Sequence, residues 1–543
     1  MILFKKSIFK FLVYAFIPVI LFSLIGVFYT SQLKYLIKEI VEFSLFSAII
    51  YVIGLLILRG KSRYFWFFFF LIILFTISYL KTSFYYLYQS KVTISAFYVI
   101  FETTGTESAN YLSTYFDLGL IAISLLFIVF LILSLKQLNT IYKTNNSFFY
   151  FPEFNLKNIP LFFVLILFVG SLIYFINLKL KHNNFIYLAH DAYVSYSEAQ
   201  QLFQTELVKP INTNFSNVSS SNNQQTYVVI IGESTSARNM GLYGYYRNTN
   251  PLLSEIKDEL LVFRDVISPH THTIPSLNKV LSLSNHENPD VIHCGSVVQL
   301  ANAAGFSTYW VSNQQPIGIH ETLVTAISKA TKEQFYTNAL TNKQVEYDEM
   351  LLPFIDEVLN KKDQKKIIFI HLYGTHISYK FSYPPHFNKF TDQPKTKFPS
   401  ARSFEQINHY DNAILYNDYI VRSIIDKVKA KNENAYVIYF SDHGDEVFQD
   451  MDFVGHNEYH ATKPMYEIPF VVWTSEKFQS DYPHFETLEN YLDRKYMLDD
   501  FIHSFSDFSQ IEFGQLQPER SIFNKDFEYR NRMIRQALNY DDR

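Results

Sequence analysis

Residues 226–234 read "TYVVIIGES", a continuous apolar run that ends in a glycine and an acidic side chain. A run of this length, rich in Val and Ile, is typical of a strand that is buried on both faces of a sheet. It predicts a strand over residues 226–232, with Glu233 at its carboxyl end. Such a strand needs further strands beside it and helices covering it.

The chain after this stretch supplies both kinds of element. Strand-like segments occur at 308–312 ("TYWVS"), 366–372 ("KIIFIHL"), 435–441 ("AYVIYFS") and 468–473 ("IPFVVW"). Amphipathic stretches such as "SLNKVLSL" (276–283) and "LYNDYIVRSIIDKVKAK" (415–431) separate them. Alternating buried strands and helices predict an α/β domain with a largely parallel central sheet over residues 226–543.

Polar side chains collect where these strands end. Glu233 follows the first strand, His371 and His376 follow the strand at 366–372, and Asp442 and His443 follow the strand at 435–441. Because ligands of such sheets bind beyond the carboxyl ends of the strands, these side chains are candidates for an oxygen- and nitrogen-rich metal site. Each also has a structural interpretation: turn residues for the Asp-His pair, a helix N-terminal charge for Glu233, and a core histidine for His371.

A Thr/His loop precedes a helix at the same expected edge, in "ISPHTHTIPSLNKVLSL" (267–283). Thr271 and Thr273 are candidate nucleophiles, and His270 and His272 are candidate metal ligands. A polar loop that caps an ordinary helix remains the alternative, and the residues alone do not decide between them.

The first third of the chain has a different character. Five apolar runs, at about 11–29, 41–58, 64–80, 114–135 and 159–178, each approach the ~20 residues that cross a bilayer as a helix. They predict a five-helix transmembrane domain over residues 1–182, with a very apolar soluble bundle as the alternative. Residues 183–208 read as helices near the membrane surface, and the polar stretch 212–225 reads as a flexible linker.

Lys and Arg in the flanks of the five runs predict the orientation. Nine lie on the side of the N-terminus and four on the opposite side, which places the N-terminus in the cytoplasm and residues 183–543 outside it. The nine are Lys5, Lys6, Lys10, Arg59, Lys61, Arg63, Lys136, Lys143 and Lys157; the four are Lys34, Lys38, Lys81 and Lys91.

Three further features bound the function. Glu102 and Glu107 lie in an outer loop, either as solvated charges or lining a pocket that faces lipid headgroups. A net charge of -4 gives no indication of a nucleic-acid surface. The single cysteine, Cys294, excludes an internal disulfide framework and a Cys-rich zinc site.

Taken in order, these motifs resemble those of the phosphoethanolamine transferases. The resemblance rests on "VVIIGESTSARNMGLYGYYRNTNP" (228–251), "HLYGTHISY" (371–379), "FSDHGDEV" (440–447) with "GHN" (455–457), and "FETTGTESANYL" (101–112), behind five spans. "VSNQQPIGIHETLVTAISKATKEQFY" (311–336) is similar to the branch that modifies phosphorylated heptose of the lipopolysaccharide core. The family implies a five-span helical membrane domain followed by a periplasmic domain of the alkaline phosphatase/sulfatase fold.

The resemblance also implies a set of site residues. An ungapped match from Ser268 to Ser282 places the nucleophile at Thr273, whereas a match anchored on Pro275 needs a gap and points to Thr271. The implied ligands of a zinc ion are Glu233, Thr273, Asp442 and His443. Further matches are His376 and His456 near the phosphate, and Asn313 with the outer-loop Glu102 and Glu107 as substrate-binding residues.

The implied reaction moves phosphoethanolamine from phosphatidylethanolamine to lipopolysaccharide, at the inner membrane of a Gram-negative cell, through a phosphothreonine-type intermediate. Core heptose phosphate is the expected acceptor, with lipid A or Kdo as alternatives. A phosphoglycerol transferase of the lipoteichoic-acid type, with Mn²⁺ and phosphatidylglycerol, is a rival, as is a non-catalytic membrane-anchored binding protein. A sulfatase is disfavoured, because the chain lacks a Cys-x-Pro-x-Arg segment.

Overall fold

A computed structural model describes residues 2–30, 33–102, 117–144, 148–149, 159–220, 224–289, 295–314, 323–337, 346–535 and 538–542. The chain forms two compact units. One comprises Met1–Phe101 and Leu112–Tyr196, and the other comprises Glu102–Tyr111 and Ser197–Arg543. Each unit has its own buried apolar core.

The first unit is helical. Its α-helices are α1 (Ile2–Ala15), α2 (Ile17–Tyr29), α3 (Leu33–Ile57), α4 (Gly60–Tyr88), α5 (Ile94–Glu102), α6 (Leu118–Thr144), α7 (Ile159–Phe175) and α8 (Phe185–Leu202), of which the last crosses the boundary between the units. Five stretches are long and apolar enough to cross a membrane, namely Ile8–Tyr29, Leu33–Ile57, Gly60–Tyr88, Leu118–Thr144 and Phe162–Asn183. The predicted five helical spans are therefore present, each with somewhat different ends.

Helices α3 and α4 extend past the predicted apolar runs, and polar side chains on their extra turns pack against one another. Lys81 on α4 places Nζ 3.1 Å from Glu39 Oε1 and 3.6 Å from Glu42 Oε2 on α3, and all three side chains are at most 1% exposed. The Tyr85 hydroxyl donates to Glu39 at 2.7 Å, and the Asn184 amide donates to Glu42 at 2.6 Å. Lys81 is therefore part of a buried ionic cluster and not a solvated flank charge.

The second unit is built on a seven-stranded sheet. Its strands are β1 (Gln225–Gly232), β2 (Leu260–Phe263), β3 (Ser307–Ser312), β4 (Glu333–Tyr336), β5 (Lys365–His371), β6 (Ala435–Ser441) and β7 (Phe470–Thr474), in the order β2-β7-β6-β1-β5-β3-β4. Strands β6, β1, β5, β3 and β4 are parallel, whereas β7 runs antiparallel to both of its neighbours, β6 and β2. The largely parallel sheet is confirmed, and the two edge strands β2 and β4 were not expected.

Helices cover the sheet: α9 (Thr273–Val280), α10 (Val297–Ala303), α11 (Leu323–Lys329), α12 (Leu352–Leu359), α13 (Ala401–Lys429) and α14 (Phe501–Phe508). The segment at 212–220 differs from the flexible linker that its composition predicts. Phe215 is 7% exposed in the core, and Ser219–Ser220 pairs with Ile511–Glu512 in antiparallel fashion. The buried side chain of Phe215 therefore packs this segment against the folded unit.

The register of the central strands positions the site. Strand β1 lies between β5 and β6, with Ile231 opposite His371 and Gly232 opposite Ser441. Because the three strands are parallel, their carboxyl ends meet at one edge of the sheet. Glu233, the loop after His371, and the Asp442 turn therefore lie side by side.

Candidate active site

The turn after β1 holds Glu233 in a buried position. Ser234 has a positive φ of 58°, a left-handed conformation that is costly for a residue other than glycine and that concentrates at functional sites. The Tyr410 hydroxyl donates to Ser234 O at 2.7 Å and accepts from Ser236 N at 2.8 Å. Gly374 passes so close that a Cβ there would lie 2.9 Å from the backbone N and O of Glu233. The backbone that carries Glu233 is thus fixed by contacts with Tyr410 and with the loop of Gly374.

Thr273 faces this carboxylate. Helix α9 begins at Thr273, and its hydroxyl Oγ1 lies 3.2 and 3.1 Å from the two oxygens of Glu233 and 3.5 Å from His443 Nε2. Ser276 in the same helix donates to Asp442 O at 2.6 Å, which ties the helix to the turn after β6. In the first turn of α9, Pro275 has no N–H and Ser276 N donates to His272 O at 3.1 Å, which leaves the N–H groups of Thr273 and Ile274 for an anion at the Thr273 hydroxyl.

The turn after β6 fixes the orientation of two more donors. The His443 ring donates through Nδ1 to Gly444 O at 2.9 Å, so the lone pair of the neutral ring is on Nε2, which faces Glu233 and Asp442. Asp442 Oδ1 accepts from the backbone N–H groups of Ser234 and His443, at 3.0 and 2.7 Å. Its other oxygen, Oδ2, is buried and accepts no hydrogen bond from any residue that the structure describes.

The charges in this cluster perturb one another strongly. Burial, with the neighbouring charge of Glu233, raises the pKa of Asp442 well above its ordinary value. Burial would lower the pKa of His443, but Asp442 and Glu233 outweigh it and raise that pKa to about 10. Burial likewise opposes ionisation of Glu233, yet contact with His443 holds its pKa below the ordinary value. Two buried carboxylates thus compete for one imidazolium, an arrangement that favours a cation among them.

The donor geometry fits a tetrahedral metal ion. Glu233, Asp442 and His443 offer ligand atoms that all lie within 4.8 Å of one another. Tetrahedral zinc with bonds of ~2.0–2.1 Å needs ligand atoms about 3.3 Å apart. Thr273 Oγ1 lies 3.2 Å from Glu233 Oε1 and 3.5 Å from His443 Nε2. His443 Nε2 in turn lies 3.4 Å from Glu233 Oε1 and 3.5 Å from Asp442 Oδ2. Together with the unpartnered Asp442 Oδ2, these spacings match the group that the motifs imply.

Two of the predicted phosphate-side histidines lie around this cluster. The His456 ring packs 4.3 Å from the His443 ring, and its Nδ1 lies 2.7 Å from Asp445 Oδ1. Asp445 in turn accepts from the Tyr379 hydroxyl at 2.6 Å. His376 Nδ1 lies 3.4 Å from the Tyr373 hydroxyl. Burial holds the pKa of His456 well below its ordinary value, and the charges of His443, His272 and His376 add to that shift. Both rings are therefore placed to act on the same site.

The remaining Thr/His loop residues face another partner. Thr271 is buried, and its backbone N and Oγ1 donate to Glu458 Oε2 at 2.9 and 3.1 Å. His270 Nδ1 lies 3.4 Å and His272 Nδ1 3.9 Å from the same carboxylate. Of the two candidate threonines, the geometry thus favours Thr273, because Thr271 is directed to Glu458 and away from Glu233.

Other candidates fall outside the cluster. His371 is 4% exposed, and burial lowers its pKa to about 4, which agrees with a neutral core histidine. Asn313 donates through Nδ2 to Glu346 O at 2.7 Å and to Asp348 Oδ1 at 2.8 Å, while its Oδ1 accepts from the Thr337 hydroxyl. Its contact with a substrate stays a prediction and requires an exchange of these partners.

The outer-loop predictions lie beyond the part of the chain that the structure describes. Glu107 and Cys294 fall outside the described residues, and Glu102 is the last residue of α5 without a described side chain. Three residues around the site were missed. Asp445 sits within the quoted "FSDHGDEV", three residues after Asp442, and Glu458 directly follows the quoted "GHN", two residues after His456. Asp348, which accepts from the backbone N of Tyr373 and Gly374, has no local signal.

The fold and the site define a membrane protein whose second unit belongs to the sulfatase family, and that family matches residues 225–511. The chain is 34% identical over 488 residues to phosphoethanolamine transferase EptC of Escherichia coli K12, covering 85% of this chain and 83% of that protein. It is 33% identical over 487 residues to phosphoethanolamine transferase CptA of Salmonella typhimurium, with the same coverage of 85% and 83%. This chain belongs to the phosphoethanolamine transferases and is an enzyme of that class.

Solved structures agree with this assignment. The C-terminal periplasmic domain of EptC from Escherichia coli, solved in complex with Zn, is 38% identical; the match covers 60% of this chain and 93% of that chain, with a TM-score of 0.56. The integral membrane protein lipooligosaccharide phosphoethanolamine transferase A from Neisseria meningitidis matches 95% of this chain and 97% of its own at a TM-score of 0.68 and 20% identity. The latter likeness establishes the whole-chain fold: a multi-pass membrane domain followed by a sulfatase-like domain.

Proposed function

We propose that this chain transfers phosphoethanolamine from phosphatidylethanolamine to lipopolysaccharide, with core heptose phosphate as the acceptor and lipid A or Kdo as the alternatives. The observation that carries the proposal is the contact of the Thr273 hydroxyl with Glu233 and His443 at the start of a helix. Further support comes from the solved soluble domain of lipooligosaccharide phosphoethanolamine transferase A from Neisseria meningitidis. This domain is 25% identical to the present chain and matches it with a TM-score of 0.51.

Glu233, Thr273, Asp442 and His443 are the residues that would hold Zn²⁺. When bound, Zn²⁺ favours the ionised form of a coordinated hydroxyl and offsets the negative charge of the carboxylates. The chain's own part is to hold the donors in place. Gly444 O fixes the His443 tautomer, and the backbone N–H groups of Ser234 and His443 orient the Asp442 carboxylate.

The reaction has two halves. In the first, Thr273 Oγ1 attacks the phosphorus of the donor, the bond from phosphorus to the diacylglycerol oxygen breaks, and that oxygen leaves with a proton as diacylglycerol. In the second, an acceptor oxygen attacks the same phosphorus, the bond to Oγ1 breaks, and Thr273 regains its proton. His376 and His456 stabilise phosphate charge or carry these protons. The free N–H groups of the first turn of α9 face the adduct.

The proposed location is the inner membrane of a Gram-negative cell, with the N-terminus in the cytoplasm and the catalytic unit in the periplasm. Arg63 and Lys81 are buried, so they leave the count of flanking charges, and nine against four becomes eight against three. The asymmetry keeps its sign. In this proposal residues 1–182 are the membrane domain, 183–225 the juxtamembrane segment and 226–543 the catalytic domain, and Glu102 and Glu107 face lipid headgroups.

Substitution of the nucleophile tests the proposal. Full-length Thr273→Ala is expected to lose transfer by at least about 10³-fold, because the group that forms the covalent bond is removed. The assay follows headgroup-labelled phosphatidylethanolamine, and mass spectrometry of lipopolysaccharide from a deletion strain locates the acceptor. Full activity of Thr273→Ala contradicts the proposal. Transfer of a labelled phosphoglycerol headgroup in its place would identify the rival phosphoglycerol transferase.

A further inference from the structure

Glu458 contacts three consecutive residues that lead into the nucleophile helix, although no step of the reaction uses it. Its Oε2 accepts from the backbone N and the hydroxyl of Thr271, at 2.9 and 3.1 Å. His270 Nδ1 lies 3.4 Å from Oε1, and His272 Nδ1 lies 3.9 Å from Oε2. Tyr466 donates its hydroxyl to Oε1 at 3.2 Å. One carboxylate therefore contacts each of residues 270–272.

The carboxylate is well suited to this role. Its side chain is only 18% exposed. Burial opposes its ionisation, but the hydrogen bonds and charges of His270 and His272 outweigh burial and hold its pKa well below the ordinary value. An ionised carboxylate accepts stronger hydrogen bonds than a neutral group, so each contact with the loop is reinforced.

Within the loop, Ser268 Oγ donates to His270 O at 2.8 Å and Thr271 Oγ1 lies 3.2 Å from His272 Nδ1, but neither contact caps α9. His272, the residue before α9, has extended backbone angles of -134° and 145° and makes no side-chain hydrogen bond to cap the helix. The chain has a single cysteine, so no intrachain disulfide can fasten the loop. Glu458 lies two residues after His456, whose ring packs 4.8 Å from His272 and 4.3 Å from His443. The segment that carries Glu458 thus also places His456 against the site.

We propose that Glu458 is a positioning residue that holds residues 270–272 so that the Thr273 hydroxyl faces Glu233 and His443. The proposal rests on the proposed function, because it assumes that Thr273 is the nucleophile. Glu458 does not touch the reacting atoms, and its effect is transmitted through the Thr271 backbone. A displacement of a catalytic group by about 1 Å can cost about 100-fold in rate.

The test compares Glu458→Ala and Glu458→Gln in the full-length enzyme with Glu357→Gln, a control at a surface carboxylate that is 55% exposed. Phosphatidylethanolamine in mixed micelles is the donor. For Glu458→Ala we expect kcat to fall about 100-fold with KM for the donor within about twofold, since orientation and not donor binding is lost. Glu458→Gln keeps an oxygen that accepts both Thr271 hydrogen bonds, so we expect it to restore kcat to within about tenfold of the unaltered enzyme.

The outcomes are decisive. A Glu458→Ala enzyme with the kcat of the control, or with only KM raised, overturns the positioning role. If Glu458→Ala does not fold, the glutamine variant decides: retained kcat with unchanged KM supports the role, and a folded Glu458→Gln enzyme whose kcat falls more than about 100-fold overturns it. Thr273→Ala is assayed in parallel. Activity in that variant defeats the proposed function itself, whereas an inactive Thr273→Ala beside an unaffected Glu458→Ala defeats only this inference.

Discussion

Each unit of the chain contains a buried cluster of two carboxylates and one basic side chain. The two clusters differ in how the negative charge is compensated. In the helical unit, Glu39 and Glu42 face Lys81, with Nζ to carboxylate distances of 3.1 and 3.6 Å. In the sulfatase-like unit, the basic side chain that Glu233 and Asp442 contact among the described residues is His443, at 3.4 and 3.5 Å. The first cluster contains a permanent cation of the chain, and the second contains none among the described residues.

The difference distinguishes a structural cluster from a ligand site. A buried carboxylate is tolerated when a cation and hydrogen-bond donors compensate it, as Lys81, Tyr85 and Asn184 do in the helical unit. Asp442 Oδ2 accepts no hydrogen bond within the described chain, and it shares the His443 imidazolium, 3.5 Å away, with Glu233. The catalytic unit thus retains a buried carboxylate oxygen that a bound cation would compensate, an arrangement that favours function over stability.

The largest effect is expected in the helical cluster. Lys81→Met leaves Glu39 and Glu42 without their cation, and breaking a buried pair in this way costs about 3–5 kcal/mol. Denaturant-induced unfolding of the full-length protein in detergent measures the loss, with the exposed Lys136→Met as the control. Combining Lys81→Met with Glu39→Gln and Glu42→Gln is expected to recover most of it. A Lys81→Met protein as stable as the control would contradict the assignment of this cluster as structural.

Substitution of a carboxylate in the catalytic cluster is expected to lower the zinc affinity without lowering the stability of the metal-free protein. Asp442→Asn removes one of two buried carboxylates that share a single imidazolium, so the metal-free protein should unfold at the same temperature or higher. Its zinc affinity should fall at least about 100-fold, the upper range for disturbing even the outer partners of a metal site. Elemental analysis and thermal unfolding with and without zinc measure both, with the exposed Asp426→Asn as the control. A metal-free Asp442→Asn protein that unfolds at a clearly lower temperature than the unaltered metal-free protein would contradict the proposed difference between the two clusters.

A smaller effect is expected beside the catalytic cluster. Thr271→Ala removes one hydroxyl contact to Glu458 but keeps the backbone N–H contact. The loss of one such hydrogen bond is worth about 0.5–1.5 kcal/mol, so kcat should fall by no more than about tenfold. Steady-state transfer assays measure it beside Thr273→Ala. If Thr271→Ala were the variant that abolished transfer, the nucleophile would be Thr271.

The sequence predicts those parts of the molecule that depend on local pattern. The continuous apolar run at 226–232 predicts β1, and the position of Glu233, Asp442 and His443 after their strands follows from the topology rule for parallel sheets. The strands β2 and β4 were missed because four residues at a sheet edge carry little periodic signal. The ungapped match favours Thr273 over Thr271 as the nucleophile, and this stays a prediction; the Thr273 hydroxyl contacts Glu233, and the Thr271 hydroxyl contacts Glu458.

What the sequence does not reveal depends on contacts between distant residues. The sequence predicts that Lys81 is a flanking charge at the end of a membrane span. In the structure, Lys81 forms ion pairs with Glu39 and Glu42 on another helix. Asp348 supports the loop after β5 through the backbone N of Tyr373 and Gly374, and no motif marks it. Such roles depend on tertiary packing, which a single sequence does not encode in any local pattern.

The central claim is that Thr273 receives phosphoethanolamine within the Glu233, Asp442 and His443 cluster. The most direct measurement incubates the zinc-loaded, full-length enzyme with phosphatidylethanolamine in the absence of acceptor, followed by proteolysis and mass spectrometry of the peptide that contains residues 268–279. The account predicts a phosphoethanolamine adduct on Thr273 that disappears when acceptor is added and does not form in Asp442→Asn. An adduct on Thr271 or elsewhere, or transfer without any adduct, would contradict it.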